Sequence, residues 1–263
     1  MENRGKQRAN FGLYKWMNTK AFLQTFFLLA ALILIVSPAL SEEHDNGIDL
    51  VERYRAARTQ FEQAPKNVTN AWQFAKACFE LADQAVDKSN LESIAQEGVD
   101  AGREAIAADS NSAPAHYYLA LNIGALAQTK MLGALKLVRQ MEAELLRSIS
   151  IEAGYDHAGA ERSLGMLYRD TPGWPASIGS KSKARQQLES AVKLAADFPD
   201  NHLTLIESYL KWNEKNAARK AAGEFKKIKD DARKKYAGSE WASAWKDWDR
   251  RWRAILDKLN IEE

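Results

Sequence analysis

The chain has 263 residues, 46% hydrophobic and 27% charged, with a formal net charge of +2, enough apolar content for a real core in one large domain or two small ones. Six prolines, 14 glycines, abundant Ala, Leu, Lys and Glu, and almost no alternating Val, Ile or Thr runs point to an all-α fold. The single cysteine, Cys78, excludes an intramolecular disulfide and sits between Phe74, Ala75 and Phe79 as a core thiol.

Residues 1–41 are set apart as a targeting segment. Arg4, Lys6, Arg8, Lys15 and Lys20 lead into a nearly apolar run from Ala21 to Val36, followed by Ser37-Pro38 and the small-x-small triplet Ala39-Leu40-Ser41. That order of parts is a secretory signal, with Met1 or Met17 as its start, and it places the chain in the periplasm or outside the cell. The alternative is an uncleaved membrane anchor, since Ala21 to Leu40 is just long enough to span a bilayer. Without the five basic residues and one acidic residue of positions 1–41, the totals of 37 and 35 become a net charge of −2, so a nucleic-acid partner loses its support.

A polar, frayed stretch from Glu42 to Gly47 precedes a leading helix within residues 42–67, carried by Val51, Tyr54 and Phe61. Asn67-Val68-Thr69 matches a glycosylation sequon but reads as a helix cap. Four helix pairs then fill residues 68–236. The first has Trp72, Ala75, Cys78 and Phe79 on one helix, a break at Lys88-Ser89-Asn90, and a second helix from Leu91 to Ala108. The second unit runs from Ala115 to Ala127 and from Met131 to Ile151, where Leu132, Leu135, Val138, Met141 and Leu145 keep helical spacing. Gly154-Tyr155-Asp156-His157 turns the chain into a third unit, Ala158 to Ala196. The fourth carries Leu203, Leu205, Ile206 and Tyr209, a turn at 213–216, and Ala217, Ala218, Ala221 and Ala222.

Register ties the units together. Tyr168 follows Leu164 by four residues, as Tyr209 follows Leu205, Ile123 follows Leu119 and Phe79 follows Ala75, and successive leucines are about 40–45 residues apart. Two helices per such period predict an αα-solenoid, each hairpin burying its face on the next. Gly165, Ala184 and Ala191 supply the small residues where paired helices touch. Residues 237–263 form a closing helix, capped by Ser239, with Trp241, Trp245, Trp248, Trp252, Ile255 and Leu259 on one stripe and Asp247, Asp249, Arg250, Arg251 and Arg253 facing away.

Leu164-Gly165, Tyr168, Ala184 and Ala191, with Trp72 at the aromatic position of the first unit, resemble tetratricopeptide repeats, although the period is longer than that family's. Tyr117 to Val138 and Ala158 to Arg185 more specifically resemble the T component associated with tripartite ATP-independent periplasmic (TRAP) transporters. The resemblance implies a periplasmic helical-repeat protein, able to form a homo-oligomer, that works beside a solute-binding protein. It brings no catalytic signature. The family's lipid-anchored members have a cysteine after the signal, and this chain has none there.

Chemistry-bearing motifs are sparse. His44, His116, His157 and His202 are scattered, no metal-ligand spacing occurs, and no nucleophile elbow, phosphate-cradling loop or dinucleotide fingerprint is present, so neither an enzyme nor a cofactor or metal is expected. His116 and His202 share a place in their repeats, which argues packing or capping, and Glu142 and Glu144 read as a solvated edge. One constellation can hold a small organic anion: the stiff loop around Trp174, Ser177 and Ser180 feeding a helix N-terminus, with Lys183 in its first turn. Arg162 and Arg169, and from the preceding unit Tyr117, Asn122 and Lys130, complete the candidate ligand-binding set. The competing reading is that Ser180 only caps the helix and Trp174 plugs the core. The expected function is a binding or scaffold module for a protein partner, with a small organic acid between repeats; the alternative is a purely structural adaptor without a ligand.

Overall fold

The structure, a computed structural model, describes residues 40–85, 87–130 and 132–262, with side chains from position 50 onward. The leader, its cleavage or anchoring, its start and the reading of Met131 as helical lie outside the described residues. Ten helices follow one another there: α1 Leu40–Gln63, α2 Val68–Asp83, α3 Lys88–Ala108, α4 Ala113–Thr129, α5 Ala134–Ile151, α6 Tyr155–Asp170, α7 Lys181–Leu194, α8 Pro199–Lys211, α9 Lys215–Lys235 and α10 Ser239–Leu259. Among the described residues the sole β-like feature is a bridge between Gly173 and Gly179.

Local chemistry sets the boundaries. Asn67 Oδ1 accepts from the amides of Thr69 and Asn70 at 2.9 and 3.1 Å, so the sequon asparagine caps α2. Asp87 caps α3 by accepting from the Asn90 amide at 2.8 Å, which starts that helix at Lys88 and not at the expected Leu91. Gly133, at φ 82°, starts α5, so Leu132 is not on the helical stripe but outside it, 91% exposed. Gly238 (φ 109°) precedes α10, and Ser239 is its first residue and not its cap. The stretch 42–47, expected to fray, belongs to α1.

Successive helices run antiparallel and pack on one another, and each unit's first helix also meets the first helix of the unit before it. Two edges result, one formed by the turns inside units and one by the turns between them. Side chains fill the stack as the periodicity predicts. Leu164, Leu188, Ala184 and Ala191 are fully enclosed, and a Cβ on Gly165 would come within 2.6 Å of Leu188 Cγ. Cys78 is a buried thiol, its pKa pushed up by burial.

The last helix sits where a further unit would begin, on α8 and α9. Its tryptophans knit a cluster, Trp248 meeting Phe198 at 5.5 Å and Trp241 meeting Tyr236 at 4.8 Å between ring centres. Arg251, expected to face away, is instead 1% exposed and reaches Asp200, Glu207 and Thr204. A periodicity reading assigns every charge to solvent; here two acids on α8 supply the partner that burial of a charge requires.

Candidate functional site

The residues expected to form one ligand site separate into different surroundings. Tyr117 and Asn122 are enclosed on α4, where the Asn122 amide donates to the carbonyls of Ala75 and Tyr118 at 2.7 and 2.8 Å. Lys130 pairs with Glu92 on the neighbouring unit. Arg162 is buried against Asp200 and donates to Asn201 Oδ1 at 2.6 Å, while Arg169 is held by Asp170 and Ser208. Each guanidinium already faces an acceptor of its own chain. Lys183 lies over the Tyr168 ring, 5.0 Å from its centre.

The loop after α6 has its own architecture. Gly179 N donates to Pro172 O at 2.8 Å, Ser180 N to Tyr168 O at 2.9 Å, and Ser177 N to Gly173 O at 3.2 Å. Ser177 and Ile178 turn inward, and Ser180 Oγ accepts from the Lys183 amide as the α7 cap. Trp174 does not plug the core: it stands 89% exposed at the tip. Trp174→Ala therefore changes folding stability by less than about 0.5 kcal/mol in urea unfolding. Gly179→Ala costs several times more, because its Cβ would fall 2.1 Å from the Thr171 carbonyl oxygen inside the loop.

Sequence reasoning placed a turn at Gly154-Tyr155-Asp156-His157 before α6 but missed its left-handed backbone and its tertiary partners. Asp156, His157 and Ala158 all have left-handed backbones, with φ of 51°, 55° and 60°. Such residues cost roughly 1–2 kcal/mol each, and hydrogen bonds offset it: Asn201 of the next unit donates to the His157 carbonyl at 3.0 Å, and Arg162 of the same helix to the same oxygen at 3.4 Å. The His157 ring stacks on Phe198 at 4.3 Å. Asp156 and Glu161 are nearly fully buried beside this turn. Tyr117 Oη and Asp156 Oδ2 converge over Gly159, where a Cβ would meet them at 2.3 and 3.3 Å. Burial raises the Glu161 pKa despite a hydrogen bond from the Gly154 amide. The four-residue stretch from Gly154 signals a turn in the sequence but not its conformation, because the partner Asn201 lies 44 residues from His157.

The remaining polar residues also serve packing. His116 and His202 each reach a carbonyl six residues back, Ser110 and Ala196, fixing the turn before their helices. Glu144 and Glu142 are not a solvated edge: they accept from His116 and the Tyr168 hydroxyl, both at 2.6 Å. Burial is the leading cause of the lowered pKa at His157 and His202. A histidine held neutral contributes stability above its ordinary value of 6.5 that is lost as pH falls through the lower folded value. Stability measured by urea unfolding therefore starts to decline below about pH 6.5, and His202→Gln weakens that decline. Among the described residues no group of three or more His, Cys, Asp or Glu is placed to hold a metal.

Comparisons with known proteins agree with this architecture. Residues 39–155, less than half of the chain, match a family described as Regulator of microtubule dynamics protein 1-3. No curated protein matches the sequence. Among solved structures, TTC0263, a thermophilic tetratricopeptide-repeat protein of Thermus thermophilus, is similar with a TM-score of 0.56 and 17% identity over 82% of this chain and 98% of its own. MamA is similar with a TM-score of 0.50 and 16% identity over 77% of this chain and 99% of its own. The shared feature at these identities is the fold, and the chain is a tetratricopeptide-like helical-repeat protein.

Proposed function

We propose that the chain is a docking scaffold for a protein partner. The observation that carries this reading is the stack of helix pairs itself: its polar residues, including Asn122, Lys130, Arg162 and Arg169 of those expected to bind a ligand, are spent on tying units together. The fold's solved neighbours support it, because extended helical-repeat surfaces are suited to binding other chains. The inner side of α8 is occupied by α10 through Arg251, so a partner uses the outer helix faces and the edges. A TRAP-type solute-binding protein is the narrower form of this partner, supported by the texture of Tyr117 to Val138 and Ala158 to Arg185. The match over residues 39–155 supports a cytoskeletal partner instead, through the name its family bears. Export under the leader, or retention by it at a membrane, belongs to the same proposal. A small organic acid has less support, since Arg162 and Arg169 already face acceptors of their own chain.

Native mass spectrometry of the chain isolated from the cells that make it separates these readings. The scaffold predicts a complex with a second protein and no retained small molecule. A chain that carries a small molecule and no protein partner overturns it.

A further inference from the structure

We propose that the groove between α9 and α10 anchors the protein partner, and that it takes an acidic segment carrying one large apolar side chain. This rests on the scaffold reading and names the partner's chemistry. α10 packs mainly on α8, so α9 and α10 touch less than other successive helices do, and a groove of about 320 Å³ stays open between them. Ala222, Trp252 and Leu256 give it apolar walls, and Ile261, 39% exposed, stands beside them. The volume lies at the lower end of the range for ligand pockets, about 300–1,000 Å³, which suits an inserted side chain. α9 is the second helix of its unit, as α5 and α7 are, so the groove belongs to the outer faces left to a partner.

A glycine keeps the groove open. Gly223 lies in the middle of α9, where glycine weakens a helix relative to alanine. Other helical glycines are required by contacts within the chain. A Cβ would come within 2.1 Å of Asn122 at Gly98, 2.8 Å of Leu119 at Gly102 and 2.6 Å of Leu188 at Gly165. At Gly223 a Cβ would meet nothing within 4 Å, and the backbone there has no positive φ to accommodate. Packing inside the chain therefore gives no reason for this glycine, whereas close approach of atoms from a partner does.

Charge selects the occupant. Residues 215–227 carry five bases and one acid, and residues 253–263, across the groove, carry two bases and three acids. A side-chain charge of +4 on one wall and −1 on the other leaves +3. The single acid of the α9 stretch, Glu224, is engaged by Lys227. Lys215, Lys220 and Lys226 are exposed, and none of them pairs with a carboxylate among the described residues. Arg219 donates to the Leu259 carbonyl, a neutral acceptor, at 3.3 Å. Lys215, Arg219, Gly223 and Lys226 recur at helical spacing, so the cations flank the open surface along one face. Carboxylates on either side of an apolar residue complement that arrangement, and a basic segment is repelled by it.

The test uses the full-length chain isolated from the cells that make it, in three forms: wild type, Gly223→Phe, which fills the groove, and Lys220→Glu with Lys226→Glu, which reverses its charge. A carbodiimide couples amines to carboxylates in direct contact, and native mass spectrometry reads how much partner each form retains. The proposal predicts wild-type links from Lys215, Lys220 or Lys226 to Asp or Glu of the partner, in a segment that carries a large apolar side chain. It also predicts that each altered form loses about tenfold of the retained partner while unfolding at the same urea concentration as wild type. Undiminished partner in either folded variant overturns the proposal and leaves the scaffold reading standing, with the partner seated elsewhere. Links that reach only a second copy of this chain also overturn it. A wild-type chain that holds no protein overturns the scaffold reading itself, and this anchor with it.

Discussion

Arg251→Ala lowers stability by about 3–5 kcal/mol and releases α10 from the stack, the range measured when one member of a buried ion pair is removed. Arg251 is enclosed and donates to Asp200 at 2.5 Å, to Glu207 at 2.9 and 3.0 Å, and to Thr204 at 3.0 Å. Without it Glu207 keeps a largely desolvated carboxylate with no guanidinium facing it. Asp200 retains Arg162 alone, at 3.2 Å. Lysine is a poor substitute, because a single ammonium cannot span two carboxylates as a planar fork does. Arg251→Lys therefore recovers less than half of the loss. Urea unfolding followed by tryptophan fluorescence reads both variants, since Trp241, Trp245, Trp248 and Trp252 all lie on α10.

The same network sets an acid limit. Burial alone raises the Asp200 pKa, but the charges of Arg162 and Arg251 outweigh it and hold the carboxylate below its ordinary value of 3.8. A depressed carboxylate contributes stability that is complete above the unfolded value and lost as pH falls through the folded one. Wild-type stability thus has a second, steeper decline below about pH 3.8, under the histidine one. Arg251→Ala shifts that decline upward.

Gly98→Ala destabilises the chain by about 2–4 kcal/mol, combining overpacking with disturbance of a buried hydrogen-bond pair. A Cβ on Gly98 would lie 2.1 Å from Asn122 Oδ1 and 2.3 Å from its Cγ. The asparagine has no room to yield: it is fully enclosed and its amide bridges α2 and α4 through the Ala75 and Tyr118 carbonyls. If Asn122 were a ligand residue in an open pocket, its side chain would swing aside and the cost would fall below about 1 kcal/mol. Equilibrium urea unfolding of the single variant distinguishes the two.

These two expectations show where sequence reading stopped. Periodicity located the helices because burial on one face repeats every three to four residues, and Leu164, Gly165, Tyr168 and Ala184 behave as repeat residues should. Boundaries slipped where a single side chain decides them, as Asp87 does for α3. The surroundings of the candidate site residues were illegible for a different reason. Arg162, Arg169 and Asn122 looked available because polar residues on apolar helices have no visible partner in one dimension. Their partners, Asp200, Ser208 and the Ala75 carbonyl, lie 38 to 47 positions away, close to one repeat period. The repeat that gave away the fold also supplies the acceptors that occupy the presumed site. The Trp174 loop, which does not recur in the other units, was legible as distinctive but not as outward-facing.

Photo-crosslinking in the cells that produce the chain tests the scaffold reading most directly. A photoreactive residue is placed singly at Leu146 and at Leu194, on the outer faces of α5 and α7. The scaffold predicts adducts to one protein of defined mass at these positions, undiminished by Trp174→Ala. The absence of any protein adduct at both positions, from a chain that remains folded, contradicts it.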